Sequence, residues 1–137
     1  MPRPRLRLPL LLSLSLLLSF DSFSQDDNRP FARFPSLSPD GKQIAFSYEG
    51  DIWTVPAEGG PARRLTVHEG YEKQAQWSPD GKSIVFQGNR FGNNDLFTID
   101  ALGGNPVRLT WHSANDANPE WGADGNIYFQ TTRYFQE

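Results

Sequence analysis

The tetrapeptide Ser-Pro-Asp-Gly stands at Ser38–Gly41 and again at Ser78–Gly81, each time followed by a lysine, one further residue and an isoleucine. Working outward, "PSLSPDGKQIAFSYEGDIWTVPAEGGPARRLT" (Pro35–Thr66) aligns with "AQWSPDGKSIVFQGNRFGNNDLFTIDALGGNPVRLT" (Ala75–Thr110) and then with "PEWGADGNIYFQTTR" (Pro119–Arg133). Leu37, Trp77 and Trp121 correspond, and the pairs Asp40-Gly41, Asp80-Gly81 and Asp124-Gly125 follow each of them at the same distance. The successive offsets are 40 and 44 residues. The four extra residues lie in one hairpin, "QGNRFGNN" against "SYEG", because Asp51 to Leu65 and Asp95 to Leu109 are equally spaced. Self-similarity at such a period is the signature of a repeat architecture.

Within each unit the local chemistry is that of strands and turns. In Ser-Pro-Asp-Gly, proline presets the first corner, aspartate bonds nearby backbone and glycine takes the left-handed position. This predicts a type I turn with a bulge that closes a hairpin. "IAF", "IVF" and "IYF" are short, β-branched and aromatic, without polar alternation, so both faces of the sheet are expected to be covered. "DIWTV" and "DLFTI" supply a third strand, and a Gly-Gly turn leads to a fourth, "ARRLT" and "PVRLT". Four short strands per unit of about 40 residues describe a β-propeller blade. The fold class expected is all-β: a partial propeller with two complete four-stranded blades and the start of a third, preceded by a signal peptide. Residues 35–74 form the first repeat, 75–118 the second and 119–137 an incomplete third.

"MPRPRLRLP" is basic, the apolar run Leu8–Phe20 follows it, and Ser22 and Ser24 are small residues around a cleavage point. This is the pattern of a secretory signal peptide over residues 1–24, with a linker over 25–34. The apolar run is shorter than the roughly 18–20 residues a membrane span needs, so the mature form is expected without a membrane anchor, in the periplasm or secreted. Removal of 1–24 leaves ten Lys and Arg against fifteen Asp and Glu. That acidic balance argues against nucleic acid as a partner. With no cysteine, neither disulfides nor thiol chemistry enter. Propellers close with about 4–8 blades, so the chain is expected to be the N-terminal part of a longer protein. Residues 25–137 alone are expected to be aggregation-prone or oligomeric, through uncovered edges and apolar faces.

The repeat resembles one shared by TolB-type periplasmic proteins and tricorn-type serine peptidases. "GDIW" (Gly50–Trp53), "RLTVHEGYE" (Arg64–Glu72) and "LTWHSANDANPEW" (Leu109–Trp121) resemble the tricorn N-terminal propeller, and the likeness extends over residues 30–133. TolB proteins also place an α/β domain ahead of their propeller, whereas here the first repeat starts about ten residues after the cleavage point. The resemblance implies a peptidase whose propeller gates or channels peptides, with serine and histidine chemistry in downstream domains beside a PDZ-like module, and the signal peptide adds export. It departs from the archetypal tricorn, which is cytosolic. Two alternatives stand beside it: a TolB-like scaffold for protein interactions, and a propeller cap on an α/β-hydrolase-type peptidase. The partners implied are the rest of the propeller, the downstream domains and peptides or proteins; a homo-oligomer of the full protein is compatible with them.

No catalytic residue, metal site or cofactor is expected in these 137 residues. "HEGYE" (His68–Glu72) lacks the second histidine of a zinc helix and sits in a loop. "DANPEWGADGNI" starts with acids and amides at alternate positions, but has Trp121 and Ile127 where a calcium loop needs glycine and glutamate. The Gly-Gly pairs at 59–60 and 103–104 lack the lysine and helix of a phosphate cradle, and no G-x-S-x-G elbow is present. Asp51 and Asp95, at the entrances of their strands, are expected to bond neighbouring backbone or a side chain of the next blade. Trp77 and Trp121 are expected between blades. The candidate substrate-facing residues are His68, Glu69, Glu72, His112 and Asp116, in the loops that join blades. Asp40, Gly41, Asp80, Gly81, Asp124 and Gly125 are read as structural turn residues.

Overall fold

The computed structural model describes residues 31–134. The signal peptide reading, residues 1–24, lies outside them, as does most of the linker. Ten strands follow in order: β1 (Arg33–Leu37), β2 (Gln43–Tyr48), β3 (Asp51–Pro56), β4 (Arg63–Arg64), β5 (Glu72–Trp77), β6 (Ser83–Gly88), β7 (Asp95–Asp100), β8 (Val107–Arg108), β9 (Asp116–Trp121) and β10 (Ile127–Thr131). They form two antiparallel four-stranded meanders, β1-β2-β3-β4 and β5-β6-β7-β8, and a two-stranded sheet of β9 and β10. The first strand of each sheet opens at Arg33, Glu72 or Asp116, ahead of the repeat boundaries at 35, 75 and 119.

Each Asp-Gly turn is built as its chemistry dictates. Ser38 Oγ donates to Asp40 Oδ1 (2.6 Å) and accepts from Gln43 N (2.9 Å), while Gly41 N donates to Ser38 O (2.9 Å). Ser78 repeats this with Asp80 Oδ1 (2.7 Å), Ser83 N (2.9 Å) and Gly81 N (2.9 Å). The glycines take φ of 72° and 70°, left-handed values that cost a side-chain-bearing residue about 1–2 kcal/mol. The third turn has Gly122 in place of the serine. There Asp124 keeps the bond from the amide two residues on, Asn126 N (3.1 Å), as Asp40 and Asp80 do from Lys42 N and Lys82 N (3.1 Å), and the Tyr128 hydroxyl (2.9 Å) takes the place of the serine.

The core lies between sheets, not within one. Ala45, Ile52 and Leu65 of the first blade pack with Ala75, Ile84, Phe86, Phe97 and Ile99 of the second, and Trp77 covers them. Full burial of such a side chain is worth about 1.5–3 kcal/mol, so much of each blade's stability comes from its neighbour. Strand β6, with a sheet on either side, is buried continuously from Ile84 to Gly88, whereas β2, with one neighbour, alternates. Tyr128 and Phe129 in β10, the counterparts of Val85 and Phe86, are exposed. The Trp77 indole donates to Ser36 O (3.1 Å) across the first joint. The Trp121 nitrogen is buried without an acceptor among the described residues, so the two tryptophans share a position but not a bond.

Candidate functional site

The meander sorts the connections onto two faces. The Asp-Gly turns and the Gly-Gly turns (between β3 and β4, and β7 and β8) share one face. The β2–β3 and β6–β7 hairpins share the other with the loops that lead from β4 to β5 and from β8 to β9. All five candidate substrate-facing residues belong to this second face, but the structure divides them.

His68, Glu69 and His112 are exposed in the blade-joining loops. His68 Nδ1 accepts from Gly70 N (2.8 Å) and His112 Nδ1 from Ala114 N (3.0 Å). Each ring therefore braces its own loop and, when neutral, carries its proton on Nε2. Glu72 and Asp116 correct the loop reading: they are the first residues of β5 and β9 and are fully buried. An acid at a strand entrance between two sheets is enclosed by both, whatever its sequence neighbours suggest.

Each buried acid belongs to a repeated node. Asp51 Oδ2 pairs with Arg64 Nη2, while Oδ1 accepts from His68 N (3.1 Å) and faces Thr66 Oγ1 at 3.5 Å. Thr66 Oγ1 in turn accepts from Ile52 N (2.9 Å). In the second blade Asp95 pairs with Arg108 (2.6 Å) and faces Thr110 Oγ1 at 3.3 Å, and Thr110 accepts from Leu96 N (3.0 Å). The side-chain partners of Asp51 and Asp95 thus lie on the fourth strand of their own blade, Arg64 and Arg108, or just beyond it, Thr66 and Thr110, where a next-blade side chain had been one expectation. Glu72 pairs with Arg90 and Asp116 with Arg133 at the start of the following sheet. Arginine, threonine and second acid follow the first aspartate by 13, 15 and 21 residues in both blades. The repeated "RLT" was the visible signal for Arg64, Thr66, Arg108 and Thr110. Arg90 and Arg133 carried a weaker one, the "FQ-x-x-R" shared by Phe86–Arg90 and Phe129–Arg133, which the first blade lacks.

Burial pushes the Glu72 carboxyl above its ordinary range, with Asp51 adding to the rise against the pull of Thr66 and Arg90. Asp116 is also pushed up by burial, but the polar side chains around it, Thr131, Arg133 and Thr110, prevail and hold it low. Among the described residues no group of three or more acids, histidines or cysteines could hold a metal.

A third feature was invisible in residue types. Phe34, Gln74 and Asn118 occupy the same position in β1, β5 and β9, at bulges, and take φ of 53°, 58° and 51°. Non-glycine residues seldom adopt such values. These three, with Pro35, Gln76, Pro119 and Glu120, line one open groove of about 360 Å³ to which all three sheets contribute. The first strands of the sheets therefore stand around a common axis, as the inner strands of a propeller do.

Comparison with known proteins agrees with this geometry. The family described as the tricorn protease N-terminal beta propeller domain matches residues 29–137. "Tricorn protease homolog 1" of Streptomyces coelicolor is 34% identical over 62 residues, 45% of this chain and 6% of the relative. "Uncharacterized peptidase YuxL" of Bacillus subtilis is 46% identical over 57 residues, 37% of this chain and 8% of the relative. Among solved structures, putative TolB from Agrobacterium tumefaciens superposes with TM-score 0.66 at 25% identity, over 75% of this chain and 38% of that one. TolB from Acinetobacter baumannii gives 0.63 at 29%, over 71% and 26%. The tricorn protease gives 0.62 at 22%, over 73% and 11%, a likeness of fold. The matched part of this chain thus spans well under half the length of each relative.

Proposed function

This chain belongs to the tricorn protease N-terminal beta propeller family, and on that premise we propose that it supplies the non-catalytic propeller of an exported serine peptidase, gating or channelling peptides toward catalytic domains. The observation that carries this reading is the groove around Phe34, Gln74 and Asn118, which has the position and the amide-rich lining that an extended peptide backbone would use. Both curated relatives are named as a protease or a peptidase, which supports a hydrolytic parent. Export rests on the basic, apolar and small-residue order of residues 1–24. The exposed histidines of the joining loops, His68 and His112, are the nearest candidates for contact with a peptide on the loop face, together with Glu69.

The test is turnover by the full-length protein of a peptide series graded in length, with Glu120→Trp and Pro35→Trp narrowing the groove. Slower cleavage of long peptides, with the shortest unaffected, supports channelling. Equal rates at every length remove it. A second reading, a TolB-like interaction scaffold, draws on the two TolB superpositions; it predicts no peptide hydrolysis by the full-length protein.

A further inference from the structure

Glu72 is fully buried where β5 meets the first blade, and the blades touch there through Glu72 N–H donating to Gly50 O at 2.7 Å. Both Arg90 nitrogens, Nε at 2.6 Å and Nη2 at 2.5 Å, address the same carboxylate oxygen, Oε1. Oε2 is buried and completes no hydrogen bond among the described residues. Two charged groups act on this carboxylate from the elements around it: Arg90 from the β6–β7 hairpin and Asp51 from β3. Asp51 is held by Arg64 of β4. Between the acids stands Thr66, whose single hydroxyl proton serves one carboxylate at a time.

We propose that Glu72 is a proton-operated latch between the first two blades, closed when its carboxyl is neutral and loosened when it is ionised. A proton on Oε2 disturbs neither Arg90 bond. It gives Glu72 a donor toward Thr66 Oγ1, which then directs its own proton to Asp51 Oδ1, so a hydrogen-bonded chain runs from the second blade to the first. In the ionised state Oε2 is a bare buried acceptor facing a second carboxylate, an arrangement that burial and like charge both disfavour. The upward displacement of this carboxyl agrees. The equivalent Asp116 pairs with Arg133 and likewise leaves one oxygen, Oδ1, buried without a hydrogen bond among the described residues, but its carboxyl is held low where that of Glu72 is raised, so the second joint lacks the device. The sign follows from linkage: a carboxyl raised above 4.5 stabilises the joint fully below that pH, and the effect is lost as pH rises through the folded-state value.

Hydrogen exchange of the full-length protein between pH 7 and 4.5, corrected for intrinsic exchange, reads the joint at the amides of Ile52 and Glu72. In the wild type their opening constant should fall on acidification, by roughly tenfold for each unit that the Glu72 midpoint lies above 4.5. Glu72→Gln, neutral at every pH and able to keep Oε1 on Arg90, should fold and show low opening throughout. Asp116→Asn should leave the wild-type pH dependence at these two amides intact. The proposal is overturned by a wild-type pH profile in Glu72→Gln, by loss of that profile in Asp116→Asn, or by failure of Glu72→Gln to fold.

Discussion

Replacing Asp95 by alanine, and separately Asp51, compares one chemistry in two settings. Asp95 is fully buried and its partner Arg108 is 21% exposed; Asp51 is equally buried, but Arg64 is 43% exposed. Removing either acid deletes a charge-assisted bond worth about 1.5–3 kcal/mol. Breaking a wholly buried pair costs about 3–5 kcal/mol, because the surviving charge has no water to turn to. Arg64 can turn to water more readily than Arg108, so Asp95→Ala should cost about 3 kcal/mol and Asp51→Ala about half of that. Urea unfolding at neutral pH, followed through Trp53 and Trp77, reads the difference. With a slope of about 2 kcal/mol per molar urea, the midpoints should fall by roughly 1.5 M and 0.7 M. Asp95→Asn, which keeps the shape and the Thr110 contact, should fall between wild type and Asp95→Ala. Equal losses for the two alanine variants, or a loss below about 1 kcal/mol at Asp95, would refute the claim that arginine exposure sets the worth of each node.

Gly81→Ala has room for its methyl, with Pro39 Cδ at 3.7 Å, so thermal melts should show only the left-handed backbone penalty of about 1 kcal/mol. Gly122→Ala adds a carbon 2.5 Å from Asp124 Oδ1 and 2.6 Å from Tyr128 Cε2; both side chains are exposed and can turn away at the loss of their hydrogen bond, so it should cost about 1 kcal/mol, and faster exchange at Asn126 N–H would mark the broken turn. The carboxyls of Asp40, Asp80 and Asp124 are held below 3.8, the first two chiefly by the Ser38 and Ser78 hydroxyls and the third by the Asn126 amide. Their stabilisation is present above 3.8 and lost as pH falls through the lowered values, so Asp80→Asn should flatten part of the acid limb of a pH–stability curve. His68→Ala with His112→Ala should cost less than about 1 kcal/mol each, the worth of one exposed hydrogen bond. In the full-length protein the pair should lower peptide turnover if the joining loops meet substrate; unchanged turnover removes that role.

The blades were readable from the chain because their signals are local. Pro39, Asp40 and Gly41 shape their turn through atoms at most a few residues away, and the same words at Ser78–Gly81 announced the period. "IVF" without alternation implied two covered faces, and β6 is covered on both. Arg64 and Arg108 were half visible in the repeated "RLT", which marked a strand but not its partner. Glu72 and Asp116 looked like loop residues, and only the apposition of two sheets made them buried acids bonded to Arg90 and Arg133. The left-handed Phe34, Gln74 and Asn118 are an aromatic and two amides with nothing in common but position. Short-range turn and strand chemistry therefore settled which units exist. Burial, charge pairing and the bending of the inner strands depend on atoms tens of residues apart, so packing alone decided them.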